Sequence, residues 1–137
     1  MTTFYLDSSA ITKLVIADEG SSDMNALIVD ASLVSSRVAV VEVTMAVARV
    51  APEVDPTAVF EAIAFIELDE DLARQAGTSG QAALRALDAI HVASASLIAE
   101  DIEAFITYDT RQAAAARSAG LRVRSPGESP VGRGGGA

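Results

Sequence analysis

The sequence predicts an α/β protein built on a mostly parallel sheet of four to five strands. Three observations lead there. Short strand-length runs alternate with longer segments of helical period, the pattern of strands joined by crossover helices. Gly, Pro and Asp fall between these segments, where turns and helix ends require them. Half of the 137 residues are apolar, enough for one domain with its own core, and there is no cysteine to staple a smaller one.

The elements follow in order. "TFYL" reads as the first strand, stopped by Asp7 and two serines, and "SSAITKLVIA" as the helix after it. An acidic break, "DEGSS", precedes a second helix near Asp23 to Asp30. "SLVSS" is the second strand, and "VAVVEVTMAVARVA" a long helix ended by Pro52. Pro56 opens the next helix, where its missing N–H costs nothing. "AFIEL" is the third strand, and "DEDLARQAG" a short helix with acids in its first turn and Gly at its end. "QAALRALDAIHVASASLIA" carries the clearest helical pattern. "AFITY" is the fourth strand, "TRQAAAARSAG" a helix closed by Gly120, and "LRVRS" a short last strand. From Pro126 onward the sequence is rich in Gly and Pro with no apolar pattern, so a domain over 1–127 and a disordered tail over 128–137 are expected.

Composition limits the function. Without cysteine there is no thiolate metal site and no Cys nucleophile. The opening apolar stretch is interrupted by Asp7 and Lys13 and lacks a basic leader, unlike a signal peptide. No apolar run is long enough to span a bilayer, so a cytoplasmic protein with no membrane partner is expected. A net charge of −9 argues against unspecific nucleic-acid binding. That average hides an asymmetry: residues 1–103 hold 17 acidic and 5 basic side chains, residues 104–137 only 2 acidic and 5 basic. Arg111, Arg117, Arg122 and Arg124 cluster in the second part, either as solvated charges or as a place for a phosphate backbone to lie.

Four carboxylates stand out. Ligands of open parallel sheets bind outside the carboxyl ends of the strands, and Asp7 and Asp109 each follow such an end. Each is also a natural helix N-cap, and the two roles do not exclude each other. Glu42 is the only charge between Arg37 and Arg49, close to apolar surface whichever face its helix buries. Such a carboxylate is usually paired or metal-bound. Asp88 sits in a helix of mostly Ala, Leu, Ile and Val, with Arg85 three residues earlier as an ion-pair partner and His91 three residues later as an outer support at most. If these acids converge, each close pair costs about 4 kcal/mol at an effective dielectric near 20, so a positive charge must join them. Oxygen-only ligands select a hard cation, Mg²⁺ or Mn²⁺, and Mg²⁺ in such a site suits phosphodiester chemistry.

At this point the residues resemble the PIN-domain ribonucleases, and among them the VapC toxins of VapBC toxin–antitoxin pairs. "YLDSSAITKL" is similar to the family's opening Asp motif, "VVEV" to its Glu helix, "LRALDAIHVASA" to its central Asp helix, and "ITYDTRQAAAARSAGL" to its closing Thr-x-Asp segment. The motifs recur in family order from Thr3 to about Gly127. The resemblance implies a PIN-like three-layer α/β/α fold, usually dimeric, and an acidic pocket of Asp7, Glu42, Asp88 and Asp109 that binds Mg²⁺, with Mn²⁺ as substitute. Asp7 and Asp88 would be its most direct ligands. It further implies Ser9 and Thr107 as hydroxyl supports, Arg111 as a phosphate contact, endoribonuclease activity, and neutralisation by a small VapB-like antitoxin. With Lys13 as the one lysine, RNA contacts would rest on arginine and backbone amides. The alternative is a catalytically weak PIN-fold module that binds protein.

Other α/β chemistries fit less well. A receiver-type phospho-acceptor needs an acidic pair after the first strand, where Ser8 and Ser9 follow Asp7, and a dehalogenase-like phosphatase needs Asp at position 9. A di-iron bundle needs a second histidine. A serine hydrolase needs the G-x-S-x-G elbow, which is absent.

Overall fold

A computed structural model describes residues 1–79 and 83–128. The chain alternates strands and helices: β1 (Thr3–Leu6), α1 (Ser8–Val15), α2 (Ser21–Ile28), β2 (Ser32–Ser36), α3 (Val38–Val50), α4 (Thr57–Glu61), β3 (Ile63–Ile66), α5 (Glu70–Gly77), α6 (Ala86–Leu97), β4 (Ala104–Ile106), α7 (Thr110–Ser118) and β5 (Val123–Arg124). The five strands form one parallel sheet in the order β3-β2-β1-β4-β5. The order runs outward in both directions from the β1/β4 pair, and that is where such sheets open a crevice for ligands.

Strand alternation divides the core into two layers. Phe4 and Leu6 of β1 pack with Ile11, Met24, Val43 and Val47 on one face of the sheet. Tyr5 points to the other face, among Val92, Ala95, Phe105 and Ala116. Both faces are covered by helices, so β1 is fully buried after its first residue and reads as a continuous apolar run. The sheet and its two helical layers are the three-layer α/β/α arrangement.

The structure shifts several predicted limits. β3 begins at Ile63 and ends at Ile66, one to two residues earlier than expected, because Ile63 pairs with Leu33 of β2. α2 begins at Ser21, after Gly20 turns the chain with φ +90°. α6 begins at Ala86 rather than 81: Arg85 is still extended, with ψ 153°, and helical period alone does not register such a backbone switch. Residues 81 and 82 of the expected helix lie outside the described residues.

The expected tail, apart from Glu128, also lies outside them. Pro126 and Gly127 pack back against the rest of the described chain. Tyr108 Oη donates to the Pro126 carbonyl at 2.7 Å. Gly127, at φ +88°, sits so near Gly20 that a Cβ there would meet the Gly20 Cα at 2.7 Å, so only glycine fits without displacement.

Candidate active site

Asp7 leaves β1 and becomes the N-cap of α1, its Oδ1 accepting the Ala10 N–H at 3.0 Å. The Ser9 hydroxyl donates to the same oxygen at 2.6 Å, and the Thr107 hydroxyl donates to Oδ2. None of these three partners is charged, although Asp7 is only 3 % exposed. Burial therefore pushes its carboxyl above the ordinary aspartate value, and the nearby His91 and the hydrogen bonds lower it only in part. Thr107 follows β4, so its bond to Asp7 ties the ends of β1 and β4 together, while its Oγ1 also accepts the Asp109 N–H at 3.1 Å. Ser9 reinforces the tie, its Oγ accepting the Tyr108 N–H at 2.8 Å. The two expected hydroxyl supports thus stand against Asp7.

Asp109 is the N-cap of α7, accepting from the backbone of Arg111 and Gln112. Its other oxygen lies 3.8 Å from Arg85 Nη2, and Asp88 Oδ2 lies 3.4 Å from Arg85 Nε. One guanidinium therefore spans the two acids. The Arg85–Asp88 pair anticipated from sequence exists, and its extension to Asp109 joins residues that sequence spacing does not relate. Glu42 projects from α3, with Oε2 accepting from Ser8 Oγ at 3.3 Å and Oε1 2.7 Å from His91 Nε2. It is neither on an exposed stripe nor unpaired. His91, on α6, is fully buried, and its Nδ1 lies 2.8 Å from Tyr5 Oη. Sequence reasoning placed His91 as an outer support; the structure gives it a direct contact to Glu42 and adds Tyr5 behind it. The signal for Tyr5 was present: a tyrosine inside an otherwise apolar buried strand needs a polar partner.

A cleft of about 330 Å³ opens beside these groups, lined by Ser8, Ser9, Thr12, Lys13, Asp18, Glu42, Ala46 and Tyr108. Lys13 Nζ lies 4.7 Å above the Tyr108 ring and 3.0 Å from Asp18 Oδ1, which puts the chain's one lysine at the wall of the cleft. Arg111 is exposed at the start of α7 and gives its backbone N–H to Asp109. Arg122 is not a free member of the arginine cluster, since its guanidinium donates to the carbonyls of Glu103 and Ile102.

The donor chemistry suits a hard divalent cation: carboxylate and hydroxyl oxygens throughout, no cysteine, and a single histidine whose Nε2 is engaged with Glu42. Asp7, buried with no charged group in hydrogen-bond contact, is the member of the set best suited to a cation. Among the described residues no three acidic or histidine side chains stand close enough to form a ready-made ligand cluster. The reason lies in their partners: Arg85 holds Asp88 and Asp109, and His91 and Ser8 hold Glu42.

Comparison with known proteins agrees with this architecture. The family model of the PIN domain matches residues 4–118. Ribonuclease VapC47 of Mycobacterium tuberculosis is 34% identical over 131 residues, covering 90% of this chain and 96% of that protein. Ribonuclease VapC46 of the same species is 35% identical over 130 residues, covering 92% and 99%. Among solved structures, M. tuberculosis VapC20, a Sarcin-Ricin loop cleaving toxin, superposes with a TM-score of 0.67 at 15% identity, over 82% of this chain and 94% of that one. VapBC2 from Rickettsia felis, bound to a DNA fragment from its promoter, gives 0.63 at 12% identity, over 91% and 99%.

Proposed function

The chain belongs to the PIN-domain family, with VapC ribonucleases as its relatives, and on that footing we propose that it is a metal-dependent endoribonuclease toxin. The observation that carries this reading is the Asp7 carboxylate, held at the β1/β4 crevice by Ser9, Ala10 and Thr107, none of them charged. A structural cap does not require such burial, whereas a ligand that becomes complete on taking up a cation does.

Asp7 and Asp88 would hold Mg²⁺ or Mn²⁺ directly, with Glu42 and Asp109 reaching it directly or through water. An ion held there would supply positive charge to an RNA phosphate and would lower the pKa of a water molecule. Ser9 and Thr107 keep the Asp7 carboxylate in one orientation. Glu42, at the wall of the cleft, accepts the proton of the attacking water. The water oxygen bonds to phosphorus as the bond to the 3′-oxygen breaks, and the leaving 3′-oxygen takes a proton from solvent, so the products are a 5′-phosphate and a 3′-hydroxyl. Arg111 contributes a phosphate contact from the start of α7.

Regulation follows from charge. An acidic crevice invites a basic side chain from a small VapB-like antitoxin, and we place this chain in such a complex, as a homodimer acting in the cytoplasm. The VapBC2 assembly among its structural neighbours supports that partner. Among the described residues no helix is long and apolar enough to cross a membrane.

The test is RNA cleavage by wild type, Asp7→Asn and Asp88→Asn in Mg²⁺, Mn²⁺ or EDTA. The expected result is cleavage by wild type with metal only, and none by either variant. Equal cleavage by all three proteins would assign the activity to a contaminant. RNA left intact by a protein that still binds an antitoxin would favour the binding-module alternative.

A further inference from the structure

We propose that Tyr5 and His91 are positioning residues that fix the Glu42 carboxylate at the edge of the cleft, with His91 held in the Nε2–H tautomer. The proposal rests on the nuclease reading and identifies what sets the direction of one of its acids. Three elements converge to make it: Tyr5 comes from β1, His91 from α6 and Glu42 from α3. The contacts run in line from the core to the cleft, 2.8 Å from Tyr5 Oη to His91 Nδ1 and 2.7 Å from His91 Nε2 to Glu42 Oε1. Tyr5 and His91 have no exposed surface, while the Glu42 side chain is 17 % exposed. Only the last member of the line can meet substrate.

The proton positions follow from what each group can donate. A phenol keeps its proton at neutral pH and can donate it. The Glu42 carboxylate can only accept, so the contact at 2.7 Å places the imidazole proton on Nε2 and leaves Nδ1 to accept from the phenol at 2.8 Å. The opposite tautomer would set an Nε2 lone pair against Glu42 at 2.7 Å, a repulsive contact.

The rings are also fixed in place. Tyr5 stacks on Phe105 with centroids 5.1 Å apart and meets the imidazole edge-on at 5.8 Å. Ser8 Oγ holds the second Glu42 oxygen from α1. A surface glutamate samples several rotamers; this one is held from two sides, as groups aimed at a reacting atom are.

The chain has one histidine, so the imidazole can be observed alone in the full-length ¹⁵N-labelled protein. Long-range ¹H–¹⁵N correlation should show the Nε2–H tautomer in the wild type and a mixture in Tyr5→Phe, an isosteric change that keeps the ring stacking. RNA cleavage should show kcat lowered about tenfold in Tyr5→Phe and about a hundredfold in His91→Leu, with KM nearly constant. His91→Gln, which retains a donor toward Glu42, should recover part of the loss. A proton on Nδ1 in the wild type would overturn the proposal. So would a Tyr5→Phe variant with wild-type kcat, even where Asp7→Asn is inactive and the nuclease reading stands. A wild type that cuts no RNA in any metal would instead remove the nuclease reading and, with it, the role given to this pair.

Discussion

Replacing Asp7 with Asn should abolish RNA cleavage and at the same time make the metal-free protein more stable. The side chain is 3 % exposed and accepts three hydrogen bonds. Asparagine has the same shape and is an equally good N-cap, so the bond from Ala10 survives. Its amide nitrogen faces the Thr107 hydroxyl, which must turn its hydrogen elsewhere, at a cost of about 1 kcal/mol. Against that stands removal of a buried charge whose effective desolvation penalty is on the order of several kcal/mol. Burial, the first cause of the raised carboxyl pKa, acts in the same direction. A net gain of about 1–3 kcal/mol at neutral pH follows, read as a rise of about 3 °C per kcal/mol in melting temperature for a chain of this size.

The gain should depend on pH with a defined sign. Between the unfolded and folded pKa values of Asp7 the folded wild type keeps a proton that the unfolded chain has released, so its stability falls as pH rises through that window. The advantage of Asp7→Asn is therefore largest at neutral pH and shrinks in acid as the wild-type carboxyl is protonated. The assay is thermal and denaturant unfolding in EDTA from acid to neutral pH, beside RNA cleavage with metal. An Asp7→Asn protein that is less stable by more than about 1 kcal/mol would make Asp7 a structural cap and refute the reasoning.

Thr107→Val removes the donor to Asp7 Oδ2 and the acceptor of the Asp109 N–H, so unfolding should show a loss of about 1–3 kcal/mol and cleavage should fall with it. Arg85→Gln should change stability by less than about 1 kcal/mol, because the guanidinium is 68 % exposed, yet calorimetry should find tighter Mn²⁺ binding once Asp88 and Asp109 are released. Both polar atoms of the Gln112 side chain are buried with no partner among the described residues, so Gln112→Met should raise stability by about 1 kcal/mol in denaturant unfolding.

Much of the fold was legible because local pattern and tertiary role coincide. "TFYL" and "SLVSS" form strands with the expected limits, since both lie inside the sheet and are bounded by turn or helix-capping residues. Where one signal served two outcomes, limits moved: the apolar period before Ala86 continues past the point where Arg85 breaks the helix. Asp7 and Asp109 stand out in the sequence by their places after strands, and both are helix N-caps in the structure. The partners that give the site its character were not readable. Glu42 and His91 are 49 residues apart and Tyr5 and His91 are 86 apart, so only the packing of α3, α6 and β1 brings them together. The same holds for Arg85, whose reach to Asp109 depends on α6 starting at the edge of the sheet where β4 ends.

The central claim is that these acids take up a divalent cation at the end of β1. Calorimetric titration of the antitoxin-free protein with Mn²⁺, beside Asp7→Asn and Asp88→Asn, tests it most directly. Saturable binding by the wild type, weakened at least about tenfold in both variants, is the predicted result. Equal uptake of Mn²⁺ by all three proteins, or none by a wild type that still cuts RNA, would contradict it.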